Sequence, residues 1–302
     1  MQKRLVSILL ALTLPGTAAA VCPGPVAVQV LGSGGPIADD GRASSGYLVW
    51  IEGRARLLVD AGSGTARQFG LAGASMDDLD AIALTHLHTD HSNDLPAYLK
   101  TASFSDRGRA LALIGPDGND GFPGLRAFTR SLLDNTDGAY RYLSAYLEDH
   151  GGRLFPLDRV EVDHGLREPR TVWKNDRLRV DAIGVTHGPV PALGYRVSVG
   201  DRTIAFSGDQ NSDNPAFAAM IEGADLLVMH HAIPEDAGRV ARNLHATPSA
   251  IGELARDAGV GKLVLSHLMR RSLDHLAASR AAIAEHYDGA ALVAEDGLCL
   301  QP

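Results

Sequence analysis

Short apolar segments rich in β-branched residues recur along the chain, each bounded by Gly, Asp or Ser. This pattern predicts β-strands, because strands carry such residues between turn-forming ones. The predicted strands are Val26–Leu31, Tyr47–Ile51, Leu57–Val59, Ala81–Leu84, Leu111–Ile114, Leu178–Ile183, Leu193–Val199, Thr203–Phe206, Leu226–Met229, Leu263–Leu265 and Ala291–Val293.

Other segments repeat their apolar residues every three or four positions, which predicts amphipathic helices. Thr247 and Pro248 form a helix-start signal, and Gly259 follows the last periodic residue of that segment. Strands joined by short turns dominate the early chain, whereas helices cluster later. We therefore predict an α/β fold in which two sheets pack face to face with helices outside. The predicted helices are Leu125–Leu133, Ala139–Leu147, Pro248–Ala258 and Leu276–Tyr287.

The start of the chain is typical of a signal peptide. Lys3 and Arg4 precede an apolar run over Leu5–Leu14, and Ala18–Ala20 provide small residues for a peptidase. A run of about ten residues is too short to cross the roughly 30 Å core of a bilayer as a helix, which disfavours a retained anchor. We predict a signal peptide over residues 1–20, one domain over 21–302, and a periplasmic or secreted protein.

Composition and charge narrow the class of protein. The chain is 45% hydrophobic with 33 Gly and 15 Pro, which excludes a disordered, collagen-like or disulfide-dense chain. Its 28 Lys and Arg against 36 Asp and Glu give a net charge of −8, which becomes −10 when Lys3 and Arg4 leave with the signal peptide. This balance does not favour nucleic-acid binding through bulk charge.

The two cysteines, Cys22 and Cys299, lie at opposite ends of the mature chain. Disulfides form and persist outside the cytoplasm, so we predict that they pair. In the chain-entropy description such a bond stabilises the fold by about 5–6 kcal/mol. The alternative is lipidation of Cys22, but the preceding Ala19–Val21 lacks the Leu and the small residue of a lipidation signal.

The densest group of metal-ligand types directly follows the predicted strand Ala81–Leu84. His86, His88, Asp90 and His91 fall within six residues. Neutral imidazole and carboxylate suit Zn²⁺, and the tight spacing lowers the entropy lost in gathering them. We expect a loop in which His86 and His88 face one ion while Asp90 and His91 face a neighbour. For any one histidine alone, a hydrogen-bonded core or surface role is the better interpretation.

With this segment the sequence resembles the metallo-β-lactamase superfamily, whose signature is the same His-x-His-x-Asp-His loop. Leu57–Gly62 resembles its strand ending in Asp-x-Gly, and three later ligand motifs follow in the superfamily's order. They are Val185–Gly188, Phe206–Asp209 and Leu265–His267. The resemblance implies a four-layer αββα sandwich holding two zinc ions, with other divalent transition metals such as iron or manganese as alternatives.

The resemblance also implies a division of ligands between the two ions. The first zinc would bind His86, His88 and His187, and the second Asp90, His91 and His267, with Asp209 and a hydroxide shared. The chemistry supports this division, because each later ligand stands at or just past the end of a predicted strand. His230 and His231 also follow a strand, and we rank them below as supporting or surface residues.

Further motifs resemble the branch that contains ribonuclease Z and the metallo-type arylsulfatases. These are Leu31–Pro36, Gly194-Tyr195 and His245–Pro248. The resemblance implies that His245 helps the leaving group depart, and the alternative is that it caps the helix starting at Pro248. Asp90 would orient the attacking water and accept its proton.

Ribonuclease Z carries a protruding arm for transfer-RNA binding between the positions matching His187 and Asp209, which only 21 residues separate here. Because the mature charge is also −10, we expect no transfer RNA as a partner, and no membrane. The sequence leaves the oligomeric state open, a homodimer included.

A long insertion lies between His91 and His187. We predict a helical lid over the metals at about 118–158. Its aromatic residues are Phe122, Phe128, Tyr140, Tyr142 and Tyr146. Tyr142 and Tyr146 stand at i and i+4 beside Leu143 and Leu147, and core packing is the leading alternative to a substrate platform for this stripe.

These observations predict an exported dinuclear zinc hydrolase that cleaves phosphodiesters or aryl sulfates by attack of the shared hydroxide on a small anionic or ester substrate. Lactone, thioester or β-lactam hydrolysis is the enzymatic alternative, although true β-lactamases generally lack the aspartate at the position of Asp209. A zinc-binding protein without turnover is the alternative from another class.

Overall fold

The computed structural model describes residues 22–147 and 154–302. The predicted signal peptide, residues 1–20, and positions 148–153 of the predicted lid lie outside the described residues. Within the described ranges, no helix is long and apolar enough to cross a bilayer.

Two mixed seven-stranded sheets form the centre of the molecule. The first sheet contains, in spatial order, β14 (Cys299–Leu300), β1 (Val26–Gly32), β2 (Gly46–Ile51), β3 (Arg54–Val59), β4 (Ala81–Ala83), β5 (Leu111–Pro116) and β6 (Leu157–Val162). The second contains β13 (Ala291–Val293), β12 (Lys262–Ser266), β11 (Leu226–His230), β10 (Arg202–Phe206), β9 (Val190–Val199), β8 (Arg179–His187) and β7 (Arg170–Lys174).

The helices cover the outer faces of the sheets. They are α1 (Thr65–Leu71), α2 (Thr89–Ser92), α3 (Leu95–Ala102), α4 (Leu125–Leu133), α5 (Pro215–Met220), α6 (Arg239–Leu244), α7 (Pro248–Asp257), α8 (Arg270–Leu273), α9 (Leu276–Ala284) and a 3₁₀ helix over Arg141–Tyr146. Residues of α1, α3 and α4 pack on the first sheet, and residues of α5, α7 and α9 pack on the second.

Alternation along the strands produces three apolar layers. In β2, Tyr47 and Val49 point into the core between the sheets, while Leu48 and Trp50 point into the core beneath the helices. Successive strand side chains face opposite sides, so a strand buried on both faces carries apolar residues throughout. The αββα sandwich expected from the sequence is confirmed.

Three edge strands escaped the sequence prediction, namely β6, β7 and the two-residue β14. β6 carries Asp158, Arg159 and Glu161, and β7 is half exposed along its length. Edge strands tolerate charged residues because one side of the strand faces water, and this breaks the apolar run on which the prediction depended.

The segment predicted as a lid differs from the prediction. Helix α4 and the 3₁₀ helix contribute Leu125, Leu133 and Tyr146 to the core under the first sheet, and the hydroxyl of Tyr146 donates to the carbonyl of Leu99 at 2.7 Å. Because a 3₁₀ helix has three residues per turn, it aligns Leu143 rather than Tyr142 with Tyr146. These helices form part of the outer layer instead of a cover over the ligands.

The predicted disulfide is present. Cys22 and Cys299 are bonded, with their Cα atoms 5.6 Å apart and a sequence separation of 277. Beside the bond, β14 pairs antiparallel with β1, placing Gln29 opposite Cys299. The two ends of the described chain are therefore joined both covalently and through the sheet.

Candidate metal centre

The proposed ligands come from the carboxyl ends of strands in both sheets. His86 follows β4, His187 ends β8, Asp209 follows β10 and His267 follows β12. β3 to β6 run parallel, as do β10 to β13, so the ends of these strands meet at one edge of each sheet. The strands thus place ligand side chains that are far apart in the sequence close together in the structure.

The His-x-His-x-Asp-His segment is only partly the loop that we expected. His86 and His88 lie in extended chain after β4, whereas Asp90 and His91 lie on the one-turn helix α2. The peptide N–H of His91 donates to the carbonyl of His88 at 3.0 Å, and the hydroxyl of Ser92 donates to the same carbonyl at 2.9 Å. This turn aims Asp90 and His91 to a different point from the two preceding histidines.

The first group consists of His86, His88 and His187. His86 Nε2 lies 3.1 Å from His88 Nδ1, and the ring centroids of His86 and His187 are 5.0 Å apart. His187 Nδ1 lies 2.8 Å from the carbonyl of Leu244 and can donate to it. That bond leaves Nε2 as the electron-pair donor of His187.

The second group consists of Asp90, His91 and His267. Asp90 Oδ2 lies 3.0 Å from His267 Nε2 and 3.4 Å from His91 Nε2. His91 Nδ1 binds Asp60 Oδ2 at 2.8 Å, and Asp60 also accepts from the peptide N–H of Thr85 at 2.7 Å. Asp60, the acid of the Asp-x-Gly motif, therefore fixes the orientation of His91 so that Nε2 faces the group.

Asp209 lies between the two groups. Its Oδ2 is 3.6 Å from His187 Nε2, and its Oδ1 is 3.4 Å from His267 Nε2 and 3.8 Å from His91 Nε2. Each carboxylate oxygen thus faces a different group, as expected for the residue assigned to both ions.

His230 supports Asp209. Its Nδ1 lies 2.5 Å from Asp209 Oδ1, and its ring stacks on that of His267 with centroids 4.9 Å apart. The hydroxyl of Tyr47 lies 3.4 Å from the other ring nitrogen and donates to Ser266 Oγ at 2.8 Å. His231 is fully buried rather than at the surface, and its peptide N–H donates to the carbonyl of Ser266.

Backbone strain occurs at the centre. His267 and Asp60 have φ of 55° and 59°, values that residues with a side chain seldom adopt. At Gly208, with φ of 60°, a Cβ atom would come within 2.6 Å of the carbonyl of Leu193. Such conformations are maintained where the surrounding packing fixes them, and they are common at functional sites.

Burial and mutual charge shift the titration of these groups. Burial, together with neighbouring His91, holds the pKa of His86 well below its ordinary value. Burial also opposes protonation of His91, but Asp90, Asp60 and Asp209 outweigh it and raise its pKa well above the ordinary value. Burial opposes ionisation of Asp209, yet His267, His230 and His91 hold its pKa well below the usual range. Asp209 is therefore ionised at neutral pH.

The donor set fits divalent metal ions. His91 Nε2 is buried without a hydrogen-bond partner among the described residues, although it lies among carboxylate oxygens and imidazoles. Buried polar atoms are normally paired, so this atom requires a partner that the described chain does not provide. Imidazole nitrogens with carboxylate oxygens are the donors that zinc prefers. Such a site is metal-binding.

A cavity of about 510 Å³ opens onto both groups. His245 lines it, with its Nδ1 3.7 Å from Asp209 Oδ2, and burial lowers its pKa to about 3. His245 does not cap α7, because Thr247 occupies the cap position and its hydroxyl accepts from the peptide N–H of Ala250 at 3.4 Å. The structure thus places His245 in the cavity.

Several lining residues had no sequence signal that singled them out. Of the aromatic residues in the predicted lid, only Phe122 lines this cavity among the described positions. The other apolar lining residues are Pro36, Leu87, Leu244 and Met269, and Arg271 lies among them. They come from separate loops and short helices, so only the folded chain brings them together.

Comparison with known proteins gives a consistent result. The Beta-lactamase superfamily domain matches residues 55–268. The chain is 30% identical to a protein named Ribonuclease Z from Haloferax volcanii, over 90% of this chain and 93% of the relative. It superposes on human tRNase Z, short form, with a TM-score of 0.69 at 21% identity, covering 91% and 98% of the two chains. The Bacillus subtilis metallo-beta-lactamase fold protein YhfI gives a TM-score of 0.67 at 22% identity, covering 92% and 100%.

The expectation that transfer RNA is not a partner is contradicted by these relatives, whose names point to RNA substrates. It depended on the net charge and on the missing arm. β8 does end at His187 and β9 begins at Val190, which leaves no room for an arm between them. Net charge, however, averages over the whole surface and does not describe a cavity lined by imidazoles and Arg271. The inference from charge was therefore wrong.

Proposed function

The chain belongs to the metallo-β-lactamase superfamily, in a branch like that of ribonuclease Z, and from this premise we propose that it is a dinuclear zinc phosphodiesterase. That it is a metal-dependent hydrolase of ester bonds follows from the family. The finer assignment rests on one observation, which is that Asp209 joins two groups of three ligands through different oxygens. RNA phosphodiesters are the first substrate class, because the relatives are named Ribonuclease Z.

In this proposal His86, His88 and His187 hold one ion, and Asp90, His91 and His267 hold the other, with Asp209 shared. Bound zinc would lower the pKa of water towards neutrality and neutralise charge on the ester. The histidines bind in their neutral form. The lowered pKa of His86 keeps that ring unprotonated, whereas a bound ion would displace the proton that Asp90, Asp60 and Asp209 favour on His91.

The chain's own groups position the reacting atoms. Asp90 is ionised and directs Oδ2 to the centre of the second group, where it can accept a proton from the attacking water. His245 is neutral, so it keeps one N–H with which to donate a hydrogen bond to the leaving oxygen. Its Nδ1 is buried without a partner among the described residues, which is consistent with a group that awaits a substrate.

A second candidate substrate is a small aryl ester, either a phosphodiester or a sulfate. The cavity favours it, because five apolar residues line its wall: Pro36, Leu87, Phe122, Leu244 and Met269. Phe122 lies beside His88, with ring centroids 6.2 Å apart. A flat leaving group of a substrate bound at the metal centre would therefore contact the Phe122 ring.

Metal analysis and a substrate panel test these proposals together. The zinc-loaded protein should bind two ions per chain and cleave bis-p-nitrophenyl phosphate and a transfer-RNA transcript, with activity lost in a chelator and restored by zinc. Faster cleavage of p-nitrophenyl sulfate would favour the sulfatase. Cleavage of p-nitrophenyl acetate or a β-lactam alone would refute the phosphodiesterase, and two bound ions without turnover would indicate a metal-binding protein.

We also propose export of the mature protein. The signal-like pattern over residues 1–20 and the Cys22–Cys299 bond support it, since structural disulfides are typical of oxidising compartments. Fractionation of cells that express the full chain should recover a protein beginning near Val21 outside the cytoplasm. Recovery of uncleaved chain in the cytoplasm would refute the proposal.

A further inference from the structure

A second cavity lies beside the metal cavity, and Phe122 lines both. This side cavity measures about 430 Å³, and its lining consists of Asn119, Asp120, Gly121, Phe122 and Pro189. Phe122 is half-buried, and its ring centroid lies 6.2 Å from that of His88. A substrate held at the metal ligands can therefore extend past Phe122 into the side cavity.

Asn119 fixes the loop between β5 and α4, which carries Phe122. Its Oδ1 accepts from the peptide N–H groups of Gly121 and Phe122 at 2.9 and 3.0 Å. Its Nδ2 donates to the carbonyl of Pro189 at 2.9 Å. Pro189 lies two residues after His187, in the turn between β8 and β9. Asn119 thus ties a loop of the first sheet to the second sheet and holds Phe122 at the boundary of the two cavities.

The lining of the side cavity suits an uncharged ring that carries hydrogen-bond donors. Among the described residues it includes no basic side chain, so the lining offers a phosphate no opposite charge. Its one acid, Asp120, is exposed and makes no hydrogen bond or ion pair within the described chain. A carboxylate accepts hydrogen bonds from the amino groups of bases, and an aromatic ring stacks on their faces. Asp120 and Phe122 together therefore fit a nucleobase.

We propose that the side cavity is a subsite for an unpaired nucleobase next to the scissile phosphodiester; this inference rests on the proposed function. The base stacks on Phe122 and donates its N–H groups to Asp120. Guanine gains most, because its ring N–H and its amino group can both donate to one carboxylate. A base within a duplex offers neither a free face nor a free pairing edge, so the subsite selects single-stranded RNA.

Binding of mononucleotides to the zinc-loaded protein tests the subsite without requiring turnover. In calorimetry, guanosine monophosphate should bind more tightly than uridine monophosphate, which lacks the amino group, and than ribose phosphate, which lacks a base. Asp120→Asn keeps the shape of the acceptor without its charge. It should lower the ratio of guanosine monophosphate affinity to ribose phosphate affinity by about 10- to 100-fold. Phe122→Leu should lower this ratio by about 5- to 100-fold through lost stacking.

Two variants test Asn119 as a positioning residue. Asn119→Ala should lower the same ratio by about 2- to 10-fold, because the loop no longer holds Phe122 in place. Asn119→Asp keeps the acceptor for the two peptide N–H groups and should recover most of the ratio. A merely structural role would lower the melting temperature and leave the ratio unchanged.

Asp106→Asn is the matched control for Asp120→Asn, since Asp106 is exposed and lines neither cavity. It should leave the ratio at the wild-type value, and zinc content shows whether the metal centre of each variant is intact. Equal ratios in the wild type, Asp120→Asn and Phe122→Leu would overturn the inference, as would guanosine monophosphate that binds no more tightly than ribose phosphate. Failure of the wild type to cleave phosphodiesters would refute the proposed function instead, because the affinity ratio reports base binding alone.

Discussion

The two ends of the sandwich each bury a carboxylate, but they differ in what surrounds it. At the arginine end, formed by Arg54, Arg56, Arg109 and Arg177 around Asp80, that carboxylate meets Arg109 at 2.8 Å and Arg177 at 3.5 Å. At the histidine end, which holds the candidate metal centre, Asp209 meets imidazoles instead of guanidinium groups. The ring nitrogens of His91 and His187 face it at 3.8 and 3.6 Å.

This difference separates a stabilising site from a binding site. The arginine end pairs its buried carboxylate with guanidinium groups of its own chain, so that carboxylate needs no ligand. The histidine end leaves buried nitrogen atoms without protein partners, at a cost in stability that a bound ion offsets. Changes at the histidine end should therefore alter activity, and changes at the arginine end should alter the free energy of unfolding.

The largest expected effect is that of Asp209→Ala. Asp209 is the only carboxylate of the described residues that faces both groups. Its removal should reduce zinc from two ions to one or none and lower kcat/KM by about 1,000-fold or more, the scale seen when a transition-state charge stabiliser is lost. Inductively coupled plasma analysis and bis-p-nitrophenyl phosphate hydrolysis measure these quantities. Two zinc ions with an unchanged rate would refute the assignment of Asp209.

Zinc removal should have the next largest effect. It should lower the free energy of unfolding through the histidine end alone. Binding at 100 times the dissociation constant stabilises the folded chain by about 2.7 kcal/mol. Asp80→Ala should gain the same amount from zinc as the wild type, because distant sites contribute additively. Denaturant titrations with zinc and with chelator compare the two gains, and a smaller gain in Asp80→Ala would show that the ends are coupled.

Asp80→Ala itself should lower the free energy of unfolding by about 1–3 kcal/mol, since it removes hydrogen bonds to charged groups. Both arginine partners are partly exposed, so water solvates them once the carboxylate is gone. The kcat/KM of Asp80→Ala should remain within about twofold of the wild-type value. Asp158→Ala, an exposed position in the same cluster, is the matched control and should stay within about 0.5 kcal/mol of the wild type.

Arg177→Met should have the smallest effect. Its contact with Asp80 is the longer of the two and its side chain is 40% exposed, so the loss should be about 0–1 kcal/mol and should decrease at high salt. A loss as large as that of Asp80→Ala would show that Arg177, and not Arg109, is the main partner of the buried carboxylate.

Much of the architecture was predictable because local patterns specify it. The strands that carry the ligands are short apolar runs with a polar residue just beyond, and the structure brings together all seven positions named from the sequence. The helix over Leu125–Leu133 has the predicted bounds because its apolar spacing and its packing agree.

Other features depended on contacts between distant segments. Arg271 is one of 28 basic residues, and nothing near it in the sequence shows that it lines the cavity. His230 and His231 are adjacent and look equivalent, yet only His230 reaches Asp209, because successive residues at the end of a strand point in opposite directions. The described helices of the predicted lid pack in the outer layer, and the sequence did not show this because aromatic residues signal burial without indicating which surface they bury.

The pairing of β1 with β14 has a consequence for how the protein is made. β1 gains its second neighbour only when residues near Cys299 emerge, 277 positions after Cys22. At about 5–20 residues per second, synthesis leaves that edge of β1 open for roughly 14–55 s. Throughout this interval one edge of the first sheet lacks its partner strand, and an unpaired edge can pair with another chain. The pairing of β14 with β1 is therefore the last step in completing the first sheet, and it waits for the end of synthesis.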